Sequence, residues 1–263
     1  MKRLLIASVA ILPAWSAACA QSDRDVRVRV GPGIQLRPQF PGADHIEAAP
    51  WFDLGIARGT EQFKVKTPYR GAGVGLVSSG RFSFGPVANI QPKRKNSDVG
   101  APVGDVATTF EVGAFAQYDP SDSLRFRAQL MKGIGGHKGL VGAVGVDRIW
   151  HDGDKYAFSI GPRIVFSDAR FQRAYFGVTP AVSLASGLPT YRPGAGVHAV
   201  AVASGMSYQF NSRWGMFGYA RYDRLVGDAA KSPIVRTFGS RNQLSGGVGL
   251  NYTFTIHRGP KAQ

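Results

Sequence analysis

Cysteine is almost missing from this chain: Cys19 is the only one in 263 residues. That excludes a disulfide framework within the chain and any cysteine-built metal centre. Histidine is scarce too, and His45, His137, His151, His198 and His257 are too far apart to form a ligand pair at helix or hairpin spacing. No serine stands in a recognisable nucleophile pattern with them; His198 and Ser204 are the least unfavourable pair. The glycine run Gly71-Ala72-Gly73-Val74-Gly75 is followed by no helical pattern, so no helix N-terminus could hold a pyrophosphate. The sequence therefore offers no catalytic, cofactor-binding or metal residues, and no enzymatic reading. Beyond residue 20 there is also no apolar run of the about 18 residues that a membrane helix needs.

What the first twenty residues do contain is the layout of an export signal. Lys2 and Arg3 give a positive start, Leu4–Leu12 is a short apolar core, and Ala18-Cys19-Ala20 fits small-x-small cleavage. A cleaved leader 1–20 and a mature start at Gln21 are expected, which would remove the only thiol. Ser16-Ala17-Ala18-Cys19 loosely resembles a lipobox, although Ser16 stands where a large aliphatic residue is usual.

Acidic residues are few: 17 against 32 Lys and Arg, a net charge of +15. The basic residues are scattered singly along strands and turns rather than gathered in a stripe, which argues against nucleic acid and for anionic lipid, lipopolysaccharide phosphates or an anion-favouring lumen.

The dominant positive signal is alternation. In Gln243–Phe254, Leu244, Gly246, Val248, Leu250, Tyr252 and Phe254 fall on one strand face and Gln243, Ser245, Gly247, Gly249, Asn251 and Thr253 on the other. The same pattern places Leu124, Phe126, Ala128 and Leu130 opposite Arg125, Arg127 and Gln129, and Phe158, Ile160 and Ile164 opposite Ser159, Gly161 and Arg163. A sandwich core would bury those guanidinium groups at several kcal/mol each, whereas a wet barrel interior solvates them. The expected fold is thus an all-β transmembrane antiparallel barrel of about 12 strands, with ten as the alternative. The expected strands are 26–36, 46–57, 61–67, 71–78, 81–91, 106–118, 121–133, 139–150, 155–166, 195–210, 213–226 and 243–254. The barrel spans 21–254 and a short basic tail occupies 255–263. Asp119–Asp122, His151–Asp154 and Asn211–Arg213 read as periplasmic turns, flanked by Tyr118, Trp150, Tyr156, Tyr208, Phe210 and Trp214 as an aromatic girdle. Connections 92–105, 167–194 and 227–242 then lie outside.

In those connections two motifs stand out. One runs Tyr175-Phe176-Gly177-Val178-Thr179, then Ala185–Pro189 and Tyr191-Arg192-Pro193-Gly194-Ala195-Gly196. The other runs Tyr222–Ala230, with Gly227 and Asp228, then Ser232-Pro233-Ile234-Val235. Together with Pro41-Gly42-Ala43-Asp44 these resemble the MipA/OmpV family of outer-membrane proteins over roughly residues 30–254. The resemblance implies a non-enzymatic outer-membrane barrel acting in envelope organisation. The family takes its name from a scaffold between a murein-cleaving lytic transglycosylase and a murein synthase, so murein hydrolase and synthase proteins are the partners it implies. Gly249-x-x-Tyr252-x-Phe254 also resembles the signal read by the barrel-assembly machinery, except that Thr255–Gln263 follow it.

The candidate functional residues are of two kinds. Arg27, Arg29, Arg125, Arg127 and Arg163 are expected to line the lumen, either unpaired and favouring small anionic solutes if the barrel is a narrow pore, or paired as wall residues with the fewer acidic groups nearby, such as Asp147. Tyr175, Phe176, Gly177, Tyr191, Arg192, Pro193, Gly227, Asp228, Ser232 and Pro233 mark the outer loops, of which 167–194 is long enough to fold inward as a constriction.

Overall fold

A computed structural model describes residues 25–257. The expected leader and the end of the tail lie outside the described residues. Strands β1 (Val26–Pro38) and β2 (Ile46–Arg58) are followed by two fragments, β3 (Ala72–Gly73) and β4 (Val77–Ser79). Then come β5 (Phe82–Gln91), β6 (Thr109–Ser121), β7 (Leu124–Gly135), β8 (Leu140–Asp152) and β9 (Tyr156–Ser167). After these follow β10 (Gly196–Gln209), β11 (Trp214–Leu225) and β12 (Asn242–Ile256). Five short helices sit in the connections: α1 (Asn96–Val99), α2 (Ala169–Phe176), α3 (Pro180–Ser186), α4 (Gly227–Lys231) and α5 (Pro233–Phe238).

The strands form one 12-stranded antiparallel sheet in the order β2-β1-β12-β11-β10-β9-β8-β7-β6-β5-β3, with β4 also on β5. First and last strands therefore meet, with Val26 opposite Ile256 and Leu36 opposite Gly246. This curls the sheet into a barrel wall whose two remaining edges are β2 and the β3–β4 fragments. Thr255 and Ile256, assigned to the tail from sequence, extend β12 and pair with Arg27 and Val26.

The alternation sorts as the sequence implied. Ile34, Phe52, Leu54, Ile56, Phe110, Phe126, Ile164, Val248 and Leu250 all point outward and are largely exposed. A continuous apolar exterior on strands of this length is the surface that hydrocarbon covers. Inside, Val87, Phe115, Met131, Val141, Ala143 and Val165 pack as a core among buried Arg, Asp, Glu and Gln side chains. Tyr118, Trp150, Tyr156, Tyr208, Phe210 and Trp214 are all partly exposed beside the short turns and form the expected girdle. Tyr208 packs on Phe210, Trp150 on Phe158, and Trp214 on Tyr252.

Val248 lies near the middle of β12, 52% exposed, between Ile34 and Gly218. Val248→Arg is expected to lower barrel stability by about 2–4 kcal/mol, as charge at the bilayer midplane does. Val248→Leu should be close to neutral. The heat-dependent gel mobility of protein refolded into lipid checks this, and equal assembly of both variants would overturn the facing.

Several boundaries differ from the sequence expectation. Residues 61–67 form no strand, and 71–78 is reduced to β3 and β4, so ten long strands and two fragments make up the twelve. The expected strand at 106 begins instead at Thr109, because Val106 is held by Arg94 in a two-way backbone bridge at 2.8 Å each way. β6 runs on through Asp119–Ser121 with a register shift after Tyr118, leaving only Asp122-Ser123 as the turn. β8 likewise extends to Asp152, and Gly153 turns the chain at φ +51°.

Candidate functional site in the barrel interior

The segment expected to be the third strand lies inside the barrel. It leaves β2 through a tight turn, with Glu61 N–H donating to the Arg58 carbonyl at 2.8 Å and Gly59 at φ +48°. Glycine suits that left-handed first turn position. Phe63 is 8% exposed under the guanidinium groups of Arg27 and Arg29, at 5.0 and 4.6 Å from its ring centre. Lys66 reaches Asp53 at 2.6 Å and also donates to the Leu54 carbonyl. Tyr69 is clasped between Arg163, 4.1 Å from its ring centre, and Arg127 at 5.1 Å.

All five sequence-nominated lumen arginines point inward, and each touches this segment. They are not unpaired, however. Arg27 binds Asp154 at 2.7 Å, Arg29 binds Asp53 at 3.0 Å, Arg125 binds Asp119 at 2.9 Å and Arg163 binds Asp147 at 2.5 Å. Arg127 donates to Gln117 at 3.3 Å and lies 3.7 Å over the Phe115 ring. Of the two alternatives, a row of free cations along a wet channel and a set of paired wall residues, the structure has the second for four of the five. The reason is that acidic residues from neighbouring strands and turns face the same interior, a juxtaposition that strand periodicity does not reveal.

The other half of the interior is closed by the long connections. Asp168 caps α2 by accepting from Phe171 N–H at 2.9 Å, and the helix drives Phe171, Tyr175 and Phe176 into the mouth at 0–1% exposure. Arg94, 2% exposed, donates to the Tyr175 carbonyl and the Gly104 carbonyl, each at 2.9 Å, and faces the Phe40 and Tyr175 rings. Burial pulls the Arg94 guanidinium down to about 10 and pushes the Tyr175 hydroxyl up to about 12. Ser232 donates to the Phe176 carbonyl at 2.8 Å. Tyr191 donates to the Asp228 carbonyl at 2.9 Å, and the Asp228 carboxylate accepts from Gly194 N–H at the same distance. Gly227 starts α4 at φ +56°, Pro233 starts α5, and Gly177 ends α2. Pro193 is buried while Arg192 points to solvent. The two loop motifs are therefore brought together into one cap.

Sequence reasoning missed the buried pairs that anchor this cap. Glu111 accepts from Asn89 at 2.6 Å and faces His137 at 3.0 Å, both on strands or turns with no motif to mark them. His198 does not meet Ser204, whose hydroxyl goes to the Ala220 carbonyl at 3.4 Å. It meets Ser167 at 2.9 Å instead, sealed beneath the rings of Phe171 and Phe176. The described residues hold no group of three or more His, Cys, Asp or Glu that could hold a metal ion.

Residues 30–254 match the family described as MltA-interacting protein MipA. The chain belongs to that family. No curated protein is significantly similar in sequence. Among solved structures, the KdgM porin is 11% identical at a TM-score of 0.37, covering 88% of this chain and 99% of the porin. An outer membrane channel from Pseudomonas putida F1 is 9% identical at 0.40, with 91% and 98% covered. The outer membrane channel DcaP of Acinetobacter baumannii is 8% identical at 0.38, with 88% and 96% covered. The chain is an outer-membrane β-barrel protein.

Proposed function

We propose that this barrel is non-enzymatic and organises the envelope, holding murein-processing enzymes together at the inner surface of the outer membrane. The observation that carries the reading is that the interior is occupied at both ends. Segment 59–71 fills one half, held by Arg125 on the Val65 carbonyl and Arg163 over Tyr69, and the α2–α5 cap fills the other, held by Arg94 on the Tyr175 carbonyl and Ser232 on the Phe176 carbonyl. Such a barrel is a rigid platform rather than a container for a reaction. The Ser167–His198 pair fits this view, since a nucleophile sealed under two rings has no access to substrate. The family's name, MltA-interacting protein, supports the class of partner. Export through a cleaved leader and insertion by the barrel-assembly machinery would bring the chain to the membrane, where anionic lipid and lipopolysaccharide would meet its basic loops.

The test is binding with purified components. The immobilised refolded barrel is expected to retain a murein lytic transglycosylase and a murein synthase simultaneously, in lipid and at moderate salt. Retention of neither would overturn the scaffolding reading.

A second reading, a narrow channel for small anionic solutes, is favoured by one observation: five arginines from β1, β7 and β9 converge on the lumen. In the arrangement described above they hold segment 59–71 rather than solute.

A further inference from the structure

Segment 59–71 matches a strand that has left its place. Its residues still alternate, with Phe63, Val65 and Thr67 on one parity and Gln62, Lys64 and Lys66 on the other. The two-residue turn Gly59-Thr60 defines a hairpin register with β2, because Arg58 and Glu61 flank it and are already joined by the turn hydrogen bond at 2.8 Å. Counting back from that turn sets Phe63 opposite Ile56, Val65 opposite Leu54, Lys66 opposite Asp53 and Thr67 opposite Phe52. Ile56, Leu54 and Phe52 face outward at 63, 59 and 71% exposure, while Asp53 faces the interior at 8%. In that register Phe63 and Val65 would join the lipid face, and Lys66 would keep the Asp53 partner it already has at 2.6 Å.

The wall is correspondingly deficient at this place. β2 pairs along its whole length with β1 but with no strand on its other side among the described residues. The Leu54 carbonyl on β2 is served by Lys66 from the displaced segment. An open edge of this length leaves backbone groups without partners in hydrocarbon, a state that membrane barrels avoid by closing.

The interior is shaped to receive the segment as well. A Cβ at Gly205 on β10 would stand 3.1 Å from Pro68, one at Gly145 on β8 2.8 Å from the Tyr69 hydroxyl, and one at Gly55 on β2 3.0 Å from Phe63. Side chains at these places would collide with the segment or force it to shift. The arginines complete the site: Arg27 donates to the Glu61 carbonyl, Arg125 donates to the Val65 carbonyl at 2.6 Å, and Arg127 and Arg163 hold Tyr69.

We propose that segment 59–71 is a movable third strand that gates an anion path. Seated inside, it occupies its half of the lumen, touches all five arginines and leaves the outer edge of β2 without a strand. Seated in the wall, it pairs with β2 and vacates its half of the lumen, leaving Arg127, which is bonded to Gln117 rather than to a carboxylate, facing the space that small anions would enter. The inference rests on the channel reading above and supplies its gate.

Two engineered disulfides separate the states, in the full chain carrying Cys19→Ser so that the engineered thiols are the only ones. Phe52→Cys with Thr67→Cys places thiols on opposite sides of the wall when the segment is inside, and opposite each other in the hairpin when it lies in the wall. Pro68→Cys with Gly205→Cys locks the seated form. The expected result is that 52–67 cross-links form within one chain in native membranes. In planar bilayers with potassium chloride, and with the cap undocked by Phe176→Ala in both forms, the oxidised 52–67 form conducts with anion preference. The oxidised 68–205 form loses conductance and regains it on reduction. Absence of an intramolecular 52–67 cross-link overturns the movement even if the wild type conducts. A 52–52 cross-link between two chains overturns it as well, since a second copy would then cover the β2 edge. A 52–67 cross-link without conductance upholds the movement and removes the channel reading.

Discussion

Asp147→Asn is expected to cost about 3–5 kcal/mol of barrel stability, the range for removing one partner of a buried ion pair. Asp147 and Arg163 are both fully buried, 2.5 Å apart, on adjacent strands β8 and β9. The Arg163 guanidinium also donates to the Pro162 and Val146 carbonyls at 2.9 and 3.2 Å and lies under Tyr69. It has no route to water when its carboxylate is taken away, so its charge stays buried and uncompensated. The pair is itself imperfect: among the described residues Arg163 Nε and Asp147 Oδ2 lack hydrogen-bond partners. Replacing both with apolar residues, Asp147→Leu with Arg163→Met, should therefore recover most of the loss. Urea midpoints of the refolded barrel, followed by tryptophan fluorescence, measure both variants. A double variant as unstable as Asp147→Asn would show that the pair stabilises the fold beyond compensating for its own burial.

That pair also shows where the sequence can and cannot be read. Arg163 was legible as an inward residue because strand parity is exact: Ile160 and Ile164 lie outward, so 163 must face in. Asp147 was legible as an acidic neighbour but not as the partner of Arg163 in particular, because parity says which face a residue takes but not which residue of the next strand stands beside it. The wall strands followed from alternation for the same reason, and the errors at Asp119–Ser121 and Asp152 arise where a strand continues through residues that usually make turns. Segment 61–67 is the instructive failure. Its periodicity is that of a wall strand, and nothing local distinguishes it from one. What seats it inside comes from elsewhere in the chain: Gly145 and Gly205 leave space for Tyr69 and Pro68, and Arg125 waits for the Val65 carbonyl. The loop motifs were visible as motifs, yet their convergence depends on Arg94 and Phe40, which lie in the other connections.

The cap and the wall are held by different forces, which makes them separable. The wall depends on a continuous ladder of backbone hydrogen bonds from β2 round to β5 and on its lipid-facing side chains. The cap depends on a small apolar cluster in which Phe40, Phe171, Tyr175, Phe176, Leu225 and Val235 are buried together, and on the hydrogen bonds from Arg94 and Ser232.

Phe176→Ala is expected to undock the cap while leaving the barrel intact. Phe176 is fully buried, and truncating a buried phenylalanine costs about 3–5 kcal/mol through lost burial and the cavity left behind. The four short helices of the cap dock through this cluster and a second one of Ala101, Val103, Val178, Leu188 and Ile234, neither of them part of the wall's ladder, so the loss falls on the cap itself. The arginines and lysine of the released connections, Arg170, Arg173, Arg192, Lys231 and Arg236, should then become rapid trypsin sites. The heat-dependent gel mobility of the barrel should be retained, because no wall hydrogen bond depends on this ring. Ser232→Ala, which removes only the hydrogen bond to the Phe176 carbonyl, should give a smaller increase in cleavage, in keeping with the about 1 kcal/mol of a typical internal hydrogen bond. Loss of the barrel mobility in Phe176→Ala would mean that cap and wall form one cooperative unit. Unchanged trypsin resistance would mean that Arg94 alone holds α2, and Arg94→Met would then release it. Since segment 59–71 occupies the other half of the lumen, undocking the cap by itself should produce no conductance, and that separates the two closures from each other.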